Sequence, residues 1–140
     1  MARFNKILVP VDGSPNSIRG LIRAIDVAKP TGAEITALYV FPVNILAGIK
    51  YTSKMREDAQ RKAAKSVGPA MKKVQQAGVA FKYKTGVGNA GQVIIKSIDQ
   101  GKFDMVVIGA RGLSSAKESF LGSTSHHVIH KAKIPVLIVK

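Results

Sequence analysis

The sequence predicts an α/β fold: one domain, residues 1–140, on an open five-stranded parallel sheet with helices on both faces. Three observations predict it. Short strand-like runs alternate with segments of helical hydrophobic spacing, in the order β-α-β-α-β-α-β-α-β. The last two runs are continuously apolar, as strands covered on both faces are. The 140 residues, 46% of them hydrophobic, suit a single core.

Ile7-Leu8-Val9-Pro10-Val11 is the first strand. Ser14-Pro15 then reads as an N-cap with proline at the first helical position, and Ile18, Leu21, Ile22, Ile25 and Ala28 share one helix face. Residues 34–40 alternate as a second strand. Residues 41–54 exceed a usual connection and are expected to form a mobile loop over the site. Met55, Ala59, Ala63, Val67, Met71 and Val74 form a longer helical face, which Gly68-Pro69 is expected to kink or split. The third strand is expected at 79–85, followed by a helix marked by Ile94, Ile95 and Ile98. Residues 104–108 form the fourth strand. Leu121, Ser125, Val128, Ile129 and Ala132 mark a last helix, expected to bury Val128 and Ile129, and 136–139 form the fifth strand. Crossovers between such parallel strands are right-handed.

Charge is the unusual property. Lys and Arg number 22 against 8 Asp and Glu, a net of +14. Residues 50–84 hold ten basic and two acidic residues, a net of +8. Such a face suits nucleic acid or an anionic membrane, or is simply a solvated helix face. The chain has no cysteine, which excludes disulfides and thiolate metal sites. It shows no signal-peptide pattern and no apolar run long enough to span a membrane. The expected location is the cytoplasm, without membrane insertion.

The most telling motif follows the fourth strand: Gly109-Ala110-Arg111-Gly112, nine residues, then Gly122-Ser123 at the start of a helix. Glycine allows close backbone approach to a ligand, and a helix start offers free N–H groups to anions. With hydroxyls at Ser123, Thr124 and Ser125, the strand-loop-helix unit reads as a phosphate cradle. The first strand ends at Asp12-Gly13. If the ends of strands one and four are neighbours, Asp12 borders the same crevice, placed to accept hydrogen bonds from ribose hydroxyls. Phosphate cradle and sugar acceptor together suggest a nucleotide.

Several pieces make the chain resemble the universal stress protein family, in its ATP-binding branch, over essentially its whole length. They are residues 7–14, Ala37-Leu38-Tyr39-Val40, the pattern G-x2-G-x9-G-[ST] from Gly109 to Ser123, and residues 134–139. The resemblance implies a Rossmann-like sheet and bound ATP, with Mg²⁺. It implies that Pro10, Val11 and Val40 line the adenine pocket, that Asp12 holds the ribose, and that Gly109, Arg111 and Gly112 wrap ribose and inner phosphates. Gly122, Ser123, Thr124 and Ser125 would take the outer phosphates, and Ile108 completes the binding set. It also implies a homodimer through residues 135–139. The positive charge and Gly68-Pro69 are not part of the family pattern.

Other motifs are weaker. Gly86-Val87-Gly88-Asn89-Ala90-Gly91 matches G-x-G-x-x-G, but it is not on the first strand and no acid follows about twenty residues on. There is no P-loop lysine motif. His126 and His130 stand four apart, with His127 beside them, but no third ligand signature accompanies them. Ser14 and His127 lack a nucleophile elbow. Three functions stay open: a dimeric ATP-dependent regulatory switch in stress response with unidentified protein partners, a slow ATPase or autophosphorylating enzyme using the same pocket, and a basic nucleic-acid-binding accessory.

Overall fold

The computed structural model describes residues 4–41, 52–111 and 121–140. Its elements are β1 (Lys6–Val11), α1 (Pro15–Thr31), β2 (Glu34–Phe41), α2 (Ser53–Gln76), β3 (Phe81–Val87), α3 (Ala90–Gly101), β4 (Met105–Gly109), α4 (Ser123–Lys131) and β5 (Val136–Val139). The sheet runs β3-β2-β1-β4-β5 and every pair is parallel. Of the expected long connection at 41–54, Phe41 belongs to β2, Thr52 caps α2 and Ser53–Lys54 belong to it, and residues 42–51 lie outside the described residues.

The period of two along each strand divides the interior into two cores. Ile7, Val9, Ile35, Ala37 and Val107 face α1 and α2, meeting Leu21, Val67 and Val74. Leu8, Leu38, Val106 and Ile108 face α3 and α4, meeting Ile94, Ile98 and Val128. Tyr83 packs at the rim of the first core with its hydroxyl buried and without a hydrogen-bond partner among the described residues. Burial, and secondarily Tyr39, push its pKa up, so it remains a neutral phenol.

Three expectations are corrected. First, α2 is not split at Gly68-Pro69 but runs as one helix through it. Val67, Ala70 and Val74, buried on both sides of the proline, anchor both halves to the core, while Pro69 itself faces solvent. Second, β3 begins at Phe81, two residues later than expected. Gly78, at φ +75°, turns the chain out of α2, and the Val79 N–H closes on the Val74 carbonyl, so Val79 finishes the helix end. Third, Ile129 is 40% exposed, so α4 buries only Ser125 and Val128.

One contact fixes the sheet's centre. A Cβ on Gly109 would stand 2.8 Å from the Asn16 carbonyl carbon and 2.9 Å from the Ser17 nitrogen. Gly20, one turn along α1, faces the Gly109 nitrogen, which a Cβ there would meet at 3.5 Å. The first turn of α1 therefore lies backbone-to-backbone on the end of β4.

Candidate functional site

Between β1 and β4 the strand order reverses direction, and beyond the carboxyl ends of such strands α/β sheets open a crevice. A cavity of about 330 Å³ lies there, within the range of small-ligand sites. Pro10, Val11 and Asp12 line it from the end of β1, Val40 from β2, Ile108, Gly109 and Arg111 from the end of β4, and Gly122, Ser123, Thr124 and Ser125 from the start of α4. Eleven of the twelve residues singled out in the sequence thus border one cavity. The twelfth, Gly112, lies outside the described residues.

Sequence reasoning missed five lining residues: Ser17, Leu38, Ala90, Ile94 and Leu121. Leu38 and Ile94 read as core, which they are, but they also floor the cavity. Ala90 starts α3, and only the sheet order brings that helix to the crevice. β2 and α3 contribute only apolar groups, Leu38, Val40, Ala90 and Ile94. The polar groups come from the turn after β1, from Arg111 and from the first turn of α4.

Asp12 is held by the α1 cap. The Ser14 N–H donates to its carboxylate at 2.9 Å, and its own N–H donates to Ser17 Oγ at 3.2 Å. Ser17 Oγ in turn donates to the Ser14 carbonyl, while Ser14 Oγ accepts from the Ser17 N–H. Ser14 and Ser17 are buried. The carboxylate is therefore fixed by a closed ring of short-range bonds, of the kind Asx turns and caps supply.

The start of α4 differs from the starts of the other three described helices. Ser14, Thr52 and Asn89 cap α1, α2 and α3 with their own side chains. Gly122 precedes α4 with extended backbone and no side chain to offer. Its N–H is spent on the Ala110 carbonyl at 2.7 Å, and its carbonyl accepts from His126. The N–H groups of the first turn, on Ser123, Thr124 and Ser125, are left at the cavity wall without a side-chain cap, a positive end that favours anions. Ser125 plays a different part from the one its hydroxyl suggested. Its Oγ donates to the Ala110 carbonyl at 2.8 Å and is buried, pinning α4 to the end of β4. Its backbone N–H, and not its hydroxyl, is the donor it has for a ligand. Arg111 and Asp12 are the only charged side chains among the described lining residues.

The histidines stand apart from this. His127 packs over Gly91, whose Cβ would meet its ring at 2.7 Å, and the exposed His126 and His130 rings are 4.5 Å apart. No group of three metal-ligating side chains occurs among the described residues.

The profile of the Universal stress protein family matches residues 3–140. Universal stress protein YxiE of Bacillus subtilis is 32% identical over 147 residues, covering 98% of this chain and 99% of that protein. The solved universal stress protein UspA from Lactobacillus plantarum superposes with a TM-score of 0.77 at 26% identity over the whole of both chains. The universal stress protein from Archaeoglobus fulgidus, solved in complex with dAMP, gives a TM-score of 0.72 at 20% identity, again over both whole chains, a likeness of fold.

Proposed function

The chain belongs to the universal stress protein family, and we propose that it binds ATP with Mg²⁺ in the cavity between β1 and β4 and acts as a dimeric, nucleotide-dependent switch in the cytoplasm. The observation that carries this reading is the uncapped start of α4 beside Arg111, in a cavity to which β2 and α3 contribute only apolar groups. Adenine suits the apolar walls of Pro10, Val11, Leu38 and Val40, with backbone groups near Val40 reading the base. Asp12, held in its ring of hydrogen bonds, suits a ribose hydroxyl. Gly109 and Arg111, with Gly112, suit the inner phosphates, and the first turn of α4 the outer ones. Nucleotide binding also agrees with the dAMP held by the Archaeoglobus fulgidus protein.

The residues present fit Mg²⁺ in one way. Asp12 is the sole carboxylate among the described lining residues and is already engaged. The ion, which keeps several waters, would arrive on the phosphates and be steadied by the hydroxyls of Ser123 and Thr124. One arginine and no second cation among those residues is sparse for phosphoryl transfer, which relies on charge clamps and a positioned nucleophile. This favours binding over turnover.

ATP with Mg²⁺ at about 100 times its dissociation constant should add roughly 2.7 kcal/mol to the stability of nucleotide-free protein. The rise in melting temperature should be smaller with GTP and smaller again for Asp12→Ala with ATP. No shift with any adenine nucleotide would overturn the reading. An unchanged shift in Asp12→Ala would remove only the ribose assignment.

Assembly is proposed at β5. The Pro135 and Val139 carbonyls accept from β4, so Val136 and Ile138 turn their backbone groups to the open edge. Leu137, on that edge strand, is 36% exposed, and Ile129 of α4 is exposed as well. Two-fold pairing of residues 135–139 buries this edge. Light scattering at micromolar concentration should give twice the 14.9 kDa of one chain, and Ile138→Pro, which removes an outward N–H, should give a monomer. A monomeric parent refutes the dimer. A folded, dimeric Ile138→Pro moves its interface elsewhere.

A further inference from the structure

From residue 59 to residue 98 the chain contains no acidic residue and eight basic ones. The structure turns this composition into a surface. On α2, Ala63, Val67, Ala70 and Val74 face the core. Lys54, Arg61, Lys65 and Lys72 recur at intervals of seven, four and seven, which places them in one row on the opposite, solvent side. Lys62 and Lys73, both exposed, lie together about a quarter-turn to one side of that row. Arg61 pairs with Asp58. Among the described residues Lys62, Lys65, Lys72 and Lys73 have no carboxylate partner.

What this surface lacks identifies its partner. The large apolar side chains exposed among the described residues are Met55, Val87, Leu121, Ile129 and Leu137; Met55 alone stands on α2, in its first turn two turns before Lys62, and none lies between residues 59 and 86. An amphipathic helix that sinks into a membrane interface needs a free apolar face, and the apolar face of α2 is spent on the core. A protein partner would meet an apolar centre within the patch. Single-stranded nucleic acid would meet exposed aromatic rings on which its bases stack. A duplex backbone asks only for a row of cations, because its binding energy comes from counterions released as phosphates are neutralised. From Arg61 to Lys73 the helix rises about 18 Å, a length over which a duplex presents roughly ten phosphates.

We propose that the outer face of α2, through Lys62, Lys65, Lys72 and Lys73, binds the sugar-phosphate backbone of duplex nucleic acid without reading its sequence. The face lies on the helix that packs on α1 and β2, and no residue of α2 lines the cavity. The nearest approach is Ser66, against which Gly13 lies beside Asp12, so nucleotide and duplex would occupy neighbouring but distinct places.

The test is fluorescence anisotropy with a labelled 25-base-pair DNA of arbitrary sequence and the full chain. Four phosphate contacts give a slope of about −3.6 in log K against log salt, or roughly 150-fold weaker binding at 200 mM than at 50 mM salt. The triple variant Lys65→Glu, Lys72→Glu, Lys73→Glu lowers the net charge from +14 to +8 and should abolish binding at 50 mM salt. The triple variant Lys29→Glu, Lys96→Glu, Lys133→Glu lowers it equally and should bind within about three-fold of the parent. Equal losses in the two variants would mean that net charge alone attracts DNA, and would overturn the proposal. So would a slope shallower than −1, or tighter binding at the same salt to vesicles containing phosphatidylserine. A melting temperature unchanged in the first variant, which alters only exposed side chains, shows that its loss is not unfolding.

Discussion

Gly109→Ala is expected to cost about 3 kcal/mol of stability, at the upper end of what an extra methyl costs in a packed interior. The reason lies in what the methyl would meet. Its neighbours at 2.8–2.9 Å are the Asn16 carbonyl and the Ser17 nitrogen, and neither is a side chain that can rotate away. Either β4 or the first turn of α1 has to move. Movement of α1 would also disturb Ser14 and Ser17, the groups that hold Asp12, so the surviving folded protein should bind nucleotide more weakly. Urea denaturation measures the loss. Gly68→Ala is the internal comparison: outside its own helix and its chain neighbours nothing lies within 4 Å of the added methyl, so the gain in helix propensity is offset only by crowding against Pro69, and the net change should stay within about 1 kcal/mol. A cost below 1 kcal/mol for Gly109→Ala would show that α1 lifts off easily.

Gly122→Asp should move stability and ligand binding in opposite directions. Gly122 has the extended backbone of an ordinary N-cap, φ −65° and ψ 159°, which aspartate adopts without strain. Its carboxylate would accept from the first-turn N–H groups and complement the helix dipole, for a gain of a few tenths of a kcal/mol over glycine. The same carboxylate would occupy the donors proposed above for phosphate and add a negative charge there. Losing two charge-assisted hydrogen bonds, each worth roughly 1.5–3 kcal/mol, should weaken ATP at least 100-fold, while adenosine, which lacks phosphates, binds nearly as before. Calorimetry with the two ligands reads the difference. Equal affinities for ATP in parent and variant would remove α4 from the binding site.

Strand identities and helix faces were legible in the sequence because both follow from local hydrophobic period. The partnership of β1 with β4 was not. It arises because β1 enters the middle of the sheet and later strands add on either side, a choice made by packing between distant segments. The cavity residues missed for the same reason are those, like Ala90 and Ile94, that arrive from α3. Local reading also failed where one residue serves two elements. Val79 looked like the start of a strand but completes the end of α2, and Pro69 looked like a break but sits where buried residues on either side outweigh one lost hydrogen bond. At Ser125 the residue type suggested phosphate and the structure shows its hydroxyl tying two backbone segments together. At Gly109 the glycine was expected to admit a ligand, and it also admits another stretch of backbone.

The two open edges of the sheet are unlike each other. β3 carries Lys82 and Lys84, both exposed, one of them reaching Glu34 at 3.5 Å, whereas all four residues of β5 are apolar. Lysines along an edge discourage strand addition, because an incoming strand must crowd and desolvate them. If both edges were apolar, copies could join β5 of one to β3 of the next, and such head-to-tail contacts repeat without end. With β3 guarded, that route to fibres is closed, and edge-to-edge growth is limited to a single encounter between like ends. Lys82→Val with Lys84→Val would open the second edge and turn a bounded association into an unbounded one.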